Sequence, residues 1–409
     1  MITHQSVTMY DLLMLLSRAL DLVGGDLSVH GLQVAYGAWR VGEALGVDGQ
    51  AQRGLALAGL VHDVGMSSSR VRSQVTASIE VDPLLATEHA VEGQKRLSTV
   101  SYAKNLADAV YFHHHRFSDP NPDGIQRDDI PLAGRILHLV DRITISIPDD
   151  YILTHRDRIL YRLGLFSDSH FDPKLVELVG DLEPAFWLDL TSGYLEEILR
   201  SFLAAETISL SAEDIVTTCR LLANIIDDKS PFTHNHSVAV ANVARELAAR
   251  VGFSEQEQWE IEMAGLVHDL GKLAIPDEIL EKPGPLTSGE RQIMCQHPYH
   301  TYRILSQVPA MARIARWGAL HHERLDGSGY PFGLGAEELD LGCRILAVAD
   351  LFQALSQDRP YRPAMAADDV KSILASHVRE NKISAELVAL LLADYDEFLQ
   401  SANNYAMSY

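Results

Sequence analysis

The stretch GLVHDLGK, residues 265–272, runs from apolar residues into His268 and Asp269, then Gly271 and Lys272. A near copy, GLVHDVG, occupies residues 59–65, 206 positions earlier. Outward from each copy the same residue types recur in the same order. Around the later one stand His236, His268, Asp269, His297, His321, His322 and Asp350, with gaps of 32, 29, 24 and, from His322, 28. Around the earlier one stand His30, His62, Asp63, His89, His113, His114 and Asp141, with gaps of 32, 27, 24 and, from His114, 27. Ten of the chain's 18 histidines fall in this register. Weaker echoes follow, RIL at 135–137 and 344–346, then FDPKLVELV at 171–179 and ISAELVALL at 383–391. The chain therefore reads as two copies of one domain, 1–195 and 205–409, with 196–210 as a helical connection.

Both copies read as helical. YDLLMLLSRALDLV (10–23), EDIVTTCRLLANII (213–226) and VKSILASHV (370–378) carry apolar residues three and four apart, as an amphipathic helix requires. Alternating strand patterns are scarce. Loops are marked by SDPNPDG (118–124), EKPGP (281–285) and DGSGYPFGLG (326–335). The expectation is an all-α protein of two tandem helical bundles.

Composition narrows the partners. With 409 residues and 47% apolar content, the chain can bury a core in each of two or three domains. Its net charge of −22, with histidine neutral, repels duplex phosphates, so duplex nucleic acid is disfavoured as a partner. A small anion remains acceptable where a local cationic site receives it. Three scattered cysteines, Cys219, Cys295 and Cys343, fit a reduced cytoplasmic protein and exclude a disulfide scaffold. Asp11, Arg18 and Asp21 interrupt the apolar N-terminal stretch, and no uncharged apolar run is long enough for a membrane span.

A lone histidine on an apolar helix is usually a hydrogen-bonded core residue, and duplication alone shows common ancestry. Seven ordered positions repeated within one chain outweigh that reading. Imidazole nitrogen and carboxylate oxygen suit divalent iron, manganese, nickel or zinc. Seven donors exceed what one ion needs, and Asp269 beside His268 is suited to bridge two. Two such ions about 3.5–4 Å apart activate a water and clamp the oxygens of an in-line phosphoryl displacement.

The second copy resembles an HD-GYP domain, a subgroup of the HD metal-dependent phosphohydrolases. The resemblance rests on HDLGK (268–272), HHERLDGSGYP (321–331), ADLFQALSQDRPYRP (349–363) and the upstream Thr233, His236 and Ser237, across about 200 residues. The first copy resembles a plain HD domain. The resemblance implies a bi- or tri-metal centre whose ligands are His236, His268, Asp269, His297, His321, His322 and Asp350. It implies a cyclic dinucleotide substrate, cyclic di-GMP first and cyclic GMP-AMP second, opened to a linear 5′-phosphorylated dinucleotide. Some members hold a third ion on an acid just before the first histidine. Phe232 stands four residues before His236 here, which favours two ions.

Other motif residues have roles that physical chemistry suggests and bland alternatives that compete. Lys272, three and four residues beyond the His268–Asp269 pair, shares their helical face and is suited to offset charge on a phosphate; the alternative is a solvated lysine. Asp269 and Lys272 are thus the catalytic pair. Arg359 and Arg362 suit bidentate phosphate contacts, or a solvated turn. Tyr330 would stack on a base or pack under its loop, and Gly327 and Gly329 permit close backbone approach. Thr287 with Glu290 reads as a helix cap, and Trp317 as core.

The first copy keeps all seven ligand types and loses the rest. Met66 aligns with Lys272, SDPNPDGIQRDDIP (118–131) replaces the GYP loop, and DRITISIPDD (141–150) replaces the arginine turn. It reads as an accessory metal domain, a hydrolase for another phosphate ester, or a relic. For the whole chain, a metal-dependent cyclic dinucleotide phosphodiesterase is expected. A non-catalytic sensor of the nucleotide or metal and a nucleotidase of the wider HD class are the alternatives. A homodimer or a signalling partner is compatible with either, and no receiver, sensory or DNA-binding module is evident.

Overall fold

The computed structural model describes residues 7–23, 29–76, 83–147, 151–203, 210–229, 235–357 and 364–403. Among them every regular element is a helix, and the one β-type contact is an isolated bridge between Ser167 and Phe171. The described residues divide into two compact units, one within Thr8–Asp214 and the other within Ile215–Tyr409 together with Val7.

In the first unit, Thr8 and Asp11 make a reciprocal capping box that starts the helix Met9–Asp21, whose Leu12, Leu13 and Leu16 are buried. The helix His30–Leu45 packs against Gly49–Val61 and Leu132–Thr144. Glycine at 46, with φ +71, ends it in a left-handed cap. In the second unit, His236–Arg250 packs against Glu255–Val267, Leu341–Ser356 and Tyr395–Asn403. The two units thus place corresponding residues at corresponding points. His30 and His236 open a central helix, and His62 and His268 follow the last turn of the next. Asp141 and Asp350 lie within the helix that crosses the central one.

The turn after each His–Asp pair has a packing reason for its glycine. A Cβ on Gly271 would lie 1.8 Å from the His297 carbonyl oxygen, and one on Gly65 would lie 1.9 Å from that of His89. No other residue allows the turn to approach the next histidine helix so closely. In the second unit Thr301 locks this approach, accepting from Gly271 N at 2.9 Å and donating to His268 O at 3.0 Å.

The capping expectation holds, because Thr287 and Glu290 form a capping box on Ser288–Met294. Trp317 is 4% exposed, with Nε1 donating to Asp340 at 2.9 Å. Residues 196–203, expected in the connection, instead complete the helix Leu195–Leu203 of the first unit. Its apolar face buries Leu195, Leu199 and Leu203; Phe202 stacks on Trp39 at 3.9 Å and Glu196 pairs with Arg18 at 2.7 Å. A helix with such a face needs cover, which the first unit provides. No helix among the described residues is long and apolar enough to cross a membrane.

Candidate metal centre

In the second unit five segments deliver the seven expected residues to one place. Three histidines use Nδ1 on backbone carbonyls, His268 on Gly265 O at 2.7 Å, His297 on Met294 O at 2.8 Å and His321 on Gly318 O at 2.6 Å. A carbonyl only accepts, so Nδ1 carries the proton and Nε2 presents a lone pair. His236 likewise donates Nδ1–H to the side-chain oxygen of Gln353. The Nε2 atoms nevertheless converge, His236 on His268 at 3.3 Å and His297 on His321 at 3.4 Å. Facing lone pairs at that distance call for a cation between them.

Asp269 stands between the two pairs. One carboxylate oxygen, Oδ2, lies 3.4 Å from His236 Nε2 and 3.2 Å from His268 Nε2. The other, Oδ1, faces His297 Nε2 at 3.3 Å and His321 Nε2 at 3.8 Å. That oxygen is buried and accepts no hydrogen bond. Asp350 joins the first pair, 3.4 Å from His236 Nε2, and His322 joins the second, its ring 4.0 Å from that of His321. Donor atoms of His236, His268 and Asp350, and of His297, His321 and His322, lie within 4.8 Å of one another in each group. An orphaned carboxylate oxygen between two sets of bare imidazole nitrogens fits a pair of divalent cations.

The electrostatics agree. Burial works against ionised carboxyls, yet His268 and Lys272 hold Asp269 well below the usual carboxylate range, and His236 does the same for Asp350. Burial likewise opposes a charged His236, but Asp269 and Asp350 push it up to about 9, so without a metal this ring holds a proton that a cation would have to displace. Burial keeps His321 well below its usual value and His322 at about 3, the neutral form a ligand needs.

The centre opens into a cavity of about 360 Å³ that Lys272, Glu323 and Tyr330 also line. Lys272 does not continue the α-helix. The chain tightens to a 3₁₀ turn over Leu270–Ala274, and the ammonium reaches back to Asp269 Oδ2. Tyr330 lies against His322, ring centroids 4.8 Å apart, so it both packs and faces the cavity. A Cβ on Gly329 would come within 2.4 Å of Glu323 Cα, which accounts for that glycine. Glu323, which the sequence reading overlooked, is buried and holds the loop. Its oxygens accept from Phe332 N at 2.7 Å, Gly333 N at 3.2 Å and Leu334 N at 3.0 Å. Gln353 was overlooked too, since no spacing rule links it to His236. Arg359, Arg362 and Thr233 lie outside the described residues.

The first unit assembles its own seven. His30 and His62 Nε2 approach to 3.2 Å, His89 and His113 to 3.1 Å, and His114 and His89 to 3.0 Å. Asp63 again lies between, 3.4 Å from His62 Nε2 and 3.7 Å from His89 Nε2. Against burial, Asp63 and Asp141 push His62 up to about 9, and burial drives His113 and His114 far down. Two departures stand out. Met66, 2% exposed, fills core where Lys272 stands in the other unit. Buried Arg142 grips Asp141 Oδ2, with Nε at 3.0 Å, whereas Asp350 is followed by Leu351, a cavity-lining residue.

Comparison with known proteins adds to this geometry. A profile of the family described as HD domain matches residues 15–148 and 220–387. The chain is 31% identical over 396 residues to the 3′3′-cGAMP-specific phosphodiesterase 1 of Vibrio cholerae serotype O1, spanning 94% of this chain and 91% of that protein. Over 155 residues it is 44% identical to the cyclic di-GMP phosphodiesterase response regulator RpfG of Xanthomonas campestris pv. campestris, covering 37% of this chain and 40% of that one. Among solved structures it is similar to the cyclic GMP-AMP-specific phosphodiesterase V-cGAP3 of V. cholerae, with a TM-score of 0.69 at 24% identity. That likeness covers 98% of this chain and 99% of that one, and it speaks to the fold.

Proposed function

The chain belongs to the HD-domain family, and from that premise we propose that it is a metal-dependent phosphodiesterase that opens a cyclic dinucleotide to its linear 5′-phosphorylated form. We assign the activity to the half spanning 205–409. The observation that carries the reading is Asp269, a buried carboxylate set between two pairs of bare imidazole nitrogens and open to a cavity.

His236, His268 and Asp350 would hold one divalent ion, His297, His321 and His322 the other, and Asp269 would serve both. Such a pair supplies Lewis-acid stabilisation of the scissile phosphate and an acidified attacking water. The chain's own residues do the rest. Lys272 carries positive charge to the cavity wall beside Asp269, where negative charge grows on phosphorus oxygens. Tyr330 offers a ring to a nucleobase. Arg359 and Arg362 would orient the phosphate. The first unit we read as an accessory metal domain. Six of its seven candidate donors group closely enough to hold ions, whereas Arg142 occupies Asp141 and Met66 replaces the lysine.

Likeness over nearly the whole chain to a 3′3′-cGAMP-specific relative, and over a third of it to a cyclic di-GMP enzyme, supports testing both nucleotides. Purified protein, loaded anaerobically with Fe²⁺ or with Mn²⁺, should convert one or both to the linear product on chromatography. Joint substitution His268→Ala and Asp269→Ala should abolish turnover while leaving the helical circular dichroism intact. Tight nucleotide binding with no product under every metal would make the chain a sensor instead.

A further inference from the structure

Beyond the metal centre the cavity carries two arginines that the function above does not use. Arg291 comes from the helix Ser288–Met294 and Arg324 from the loop after the histidine pair. Two separate elements thus converge on one space. The protein's net charge is −22, and several of its arginines pair with carboxylates, as Arg40 does with Glu43 at 2.9 Å and Arg313 with Glu260 at 2.8 Å. Arg291 and Arg324 have no ion-pair partner among the described residues. Arg324 contacts the Ser328 hydroxyl at 3.4 Å. The cavity's own acids do not neutralise them. Asp269 and Asp350 face the histidines, and Glu323 is committed to three backbone N–H groups.

Two guanidinium groups without an ion-pair partner on the wall of one cavity favour an anionic ligand there. Ala347, Leu351, Ala354 and Ile383 supply an apolar lining beside them, suited to a purine. A cyclic dinucleotide has two phosphodiesters on opposite sides of one ring. With one at the metal centre, the other needs a partner within the same cavity. Guanidinium forks match phosphate oxygens two at a time.

We propose that Arg291 and Arg324 form a second anion subsite that grips the phosphodiester not being cut, and so select substrates with two phosphodiesters over substrates with one. This rests on the cyclic dinucleotide reading above. Arg291→Ala and Arg324→Ala, singly and together, test it on two readouts. The first is kcat/KM of the Mn²⁺-loaded protein on 3′3′-cyclic GMP-AMP, on cyclic di-GMP and on bis(4-nitrophenyl) phosphate, which has one phosphodiester. Each substitution should raise KM for the dinucleotide about tenfold, with kcat changed much less, and the loss should exceed that on the small diester by a similar factor. Arg→Lys replacements should recover part of it. The second readout is calorimetric binding of the same dinucleotides to the His268→Ala/Asp269→Ala chain, where each arginine substitution should weaken binding about tenfold. Equal losses on both substrate types, or unweakened binding by the double variant, would overturn the subsite. If the unsubstituted protein cuts neither dinucleotide, the phosphodiesterase reading fails, and the binding arm still decides the subsite.

Discussion

His236 presents its Nδ1 to the side-chain oxygen of Gln353, which stands one helical turn beyond Asp350 on Leu341–Ser356. One helix therefore brings a candidate ligand and the group that sets the tautomer of another. Gln353→Ala should lower the affinity for Mn²⁺ by about 10–100-fold, the usual cost of losing a partner that orients a ligand. A chelator-competition titration checks this, and unchanged affinity would show that packing alone orients the ring.

Glu323 holds the loop that carries Tyr330 through three backbone N–H groups. Charge-assisted hydrogen bonds to a buried carboxylate are strong, so Glu323→Ala should cost about 2–4 kcal/mol of stability. Amide hydrogen exchange at Phe332, Gly333 and Leu334 should accelerate in the variant. Exchange as slow as in the parent protein would mean that other contacts hold the loop.

His138 gives the first unit an acid-sensitive element. Burial, with Arg142 nearby, pushes it down to about 3, and its Nδ1 lies 2.9 Å from His115 O. Between that value and the ordinary histidine value near 6.5, the unfolded chain binds a proton that the folded chain refuses. The resulting stability is present above about pH 6.5 and is lost as pH falls towards 3. His138→Leu should therefore shrink the drop in unfolding free energy between pH 7 and pH 5 by about 2 kcal/mol, measured by urea titration. An undiminished drop would assign the acid sensitivity to other groups.

The accessory reading of the first unit makes a separable prediction. His62→Ala with Asp63→Ala should reduce bound metal, measured by elemental analysis. Its kcat/KM on cyclic dinucleotide should stay within about threefold of the parent, as expected for independent sites. Loss of turnover matching that of the His268/Asp269 variant would show that the first unit takes part in the chemistry.

The helical class, the duplication and all fourteen candidate ligands could be read from the linear chain. The reason is geometric. The candidate ligands sit within or just after helices, so the order and approximate spacing of helices set the gaps between them, and both copies kept that order. The repeat also marked Gly65 and Gly271, but their reason came from packing: a Cβ there would meet the carbonyl of His89 or His297.

Contacts between elements with no shared period were invisible. Gln353 on His236, Glu323 beneath the loop, Arg291 and Arg324 on the cavity wall and Arg142 on Asp141 meet because of how helices pack, and packing leaves no repeat along the sequence. The boundary near 196–203 was missed likewise. An amphipathic helix announces that it needs a covered face, but which unit covers it depends on the shape of the surface that receives Phe202 and Glu196. Residue order was enough to name the candidate donors that each unit gathers. Their protonation, their supports and the charge of the space before them came from three-dimensional neighbours, because hydrogen bonds and electrostatic fields act through distance in space and not along the chain.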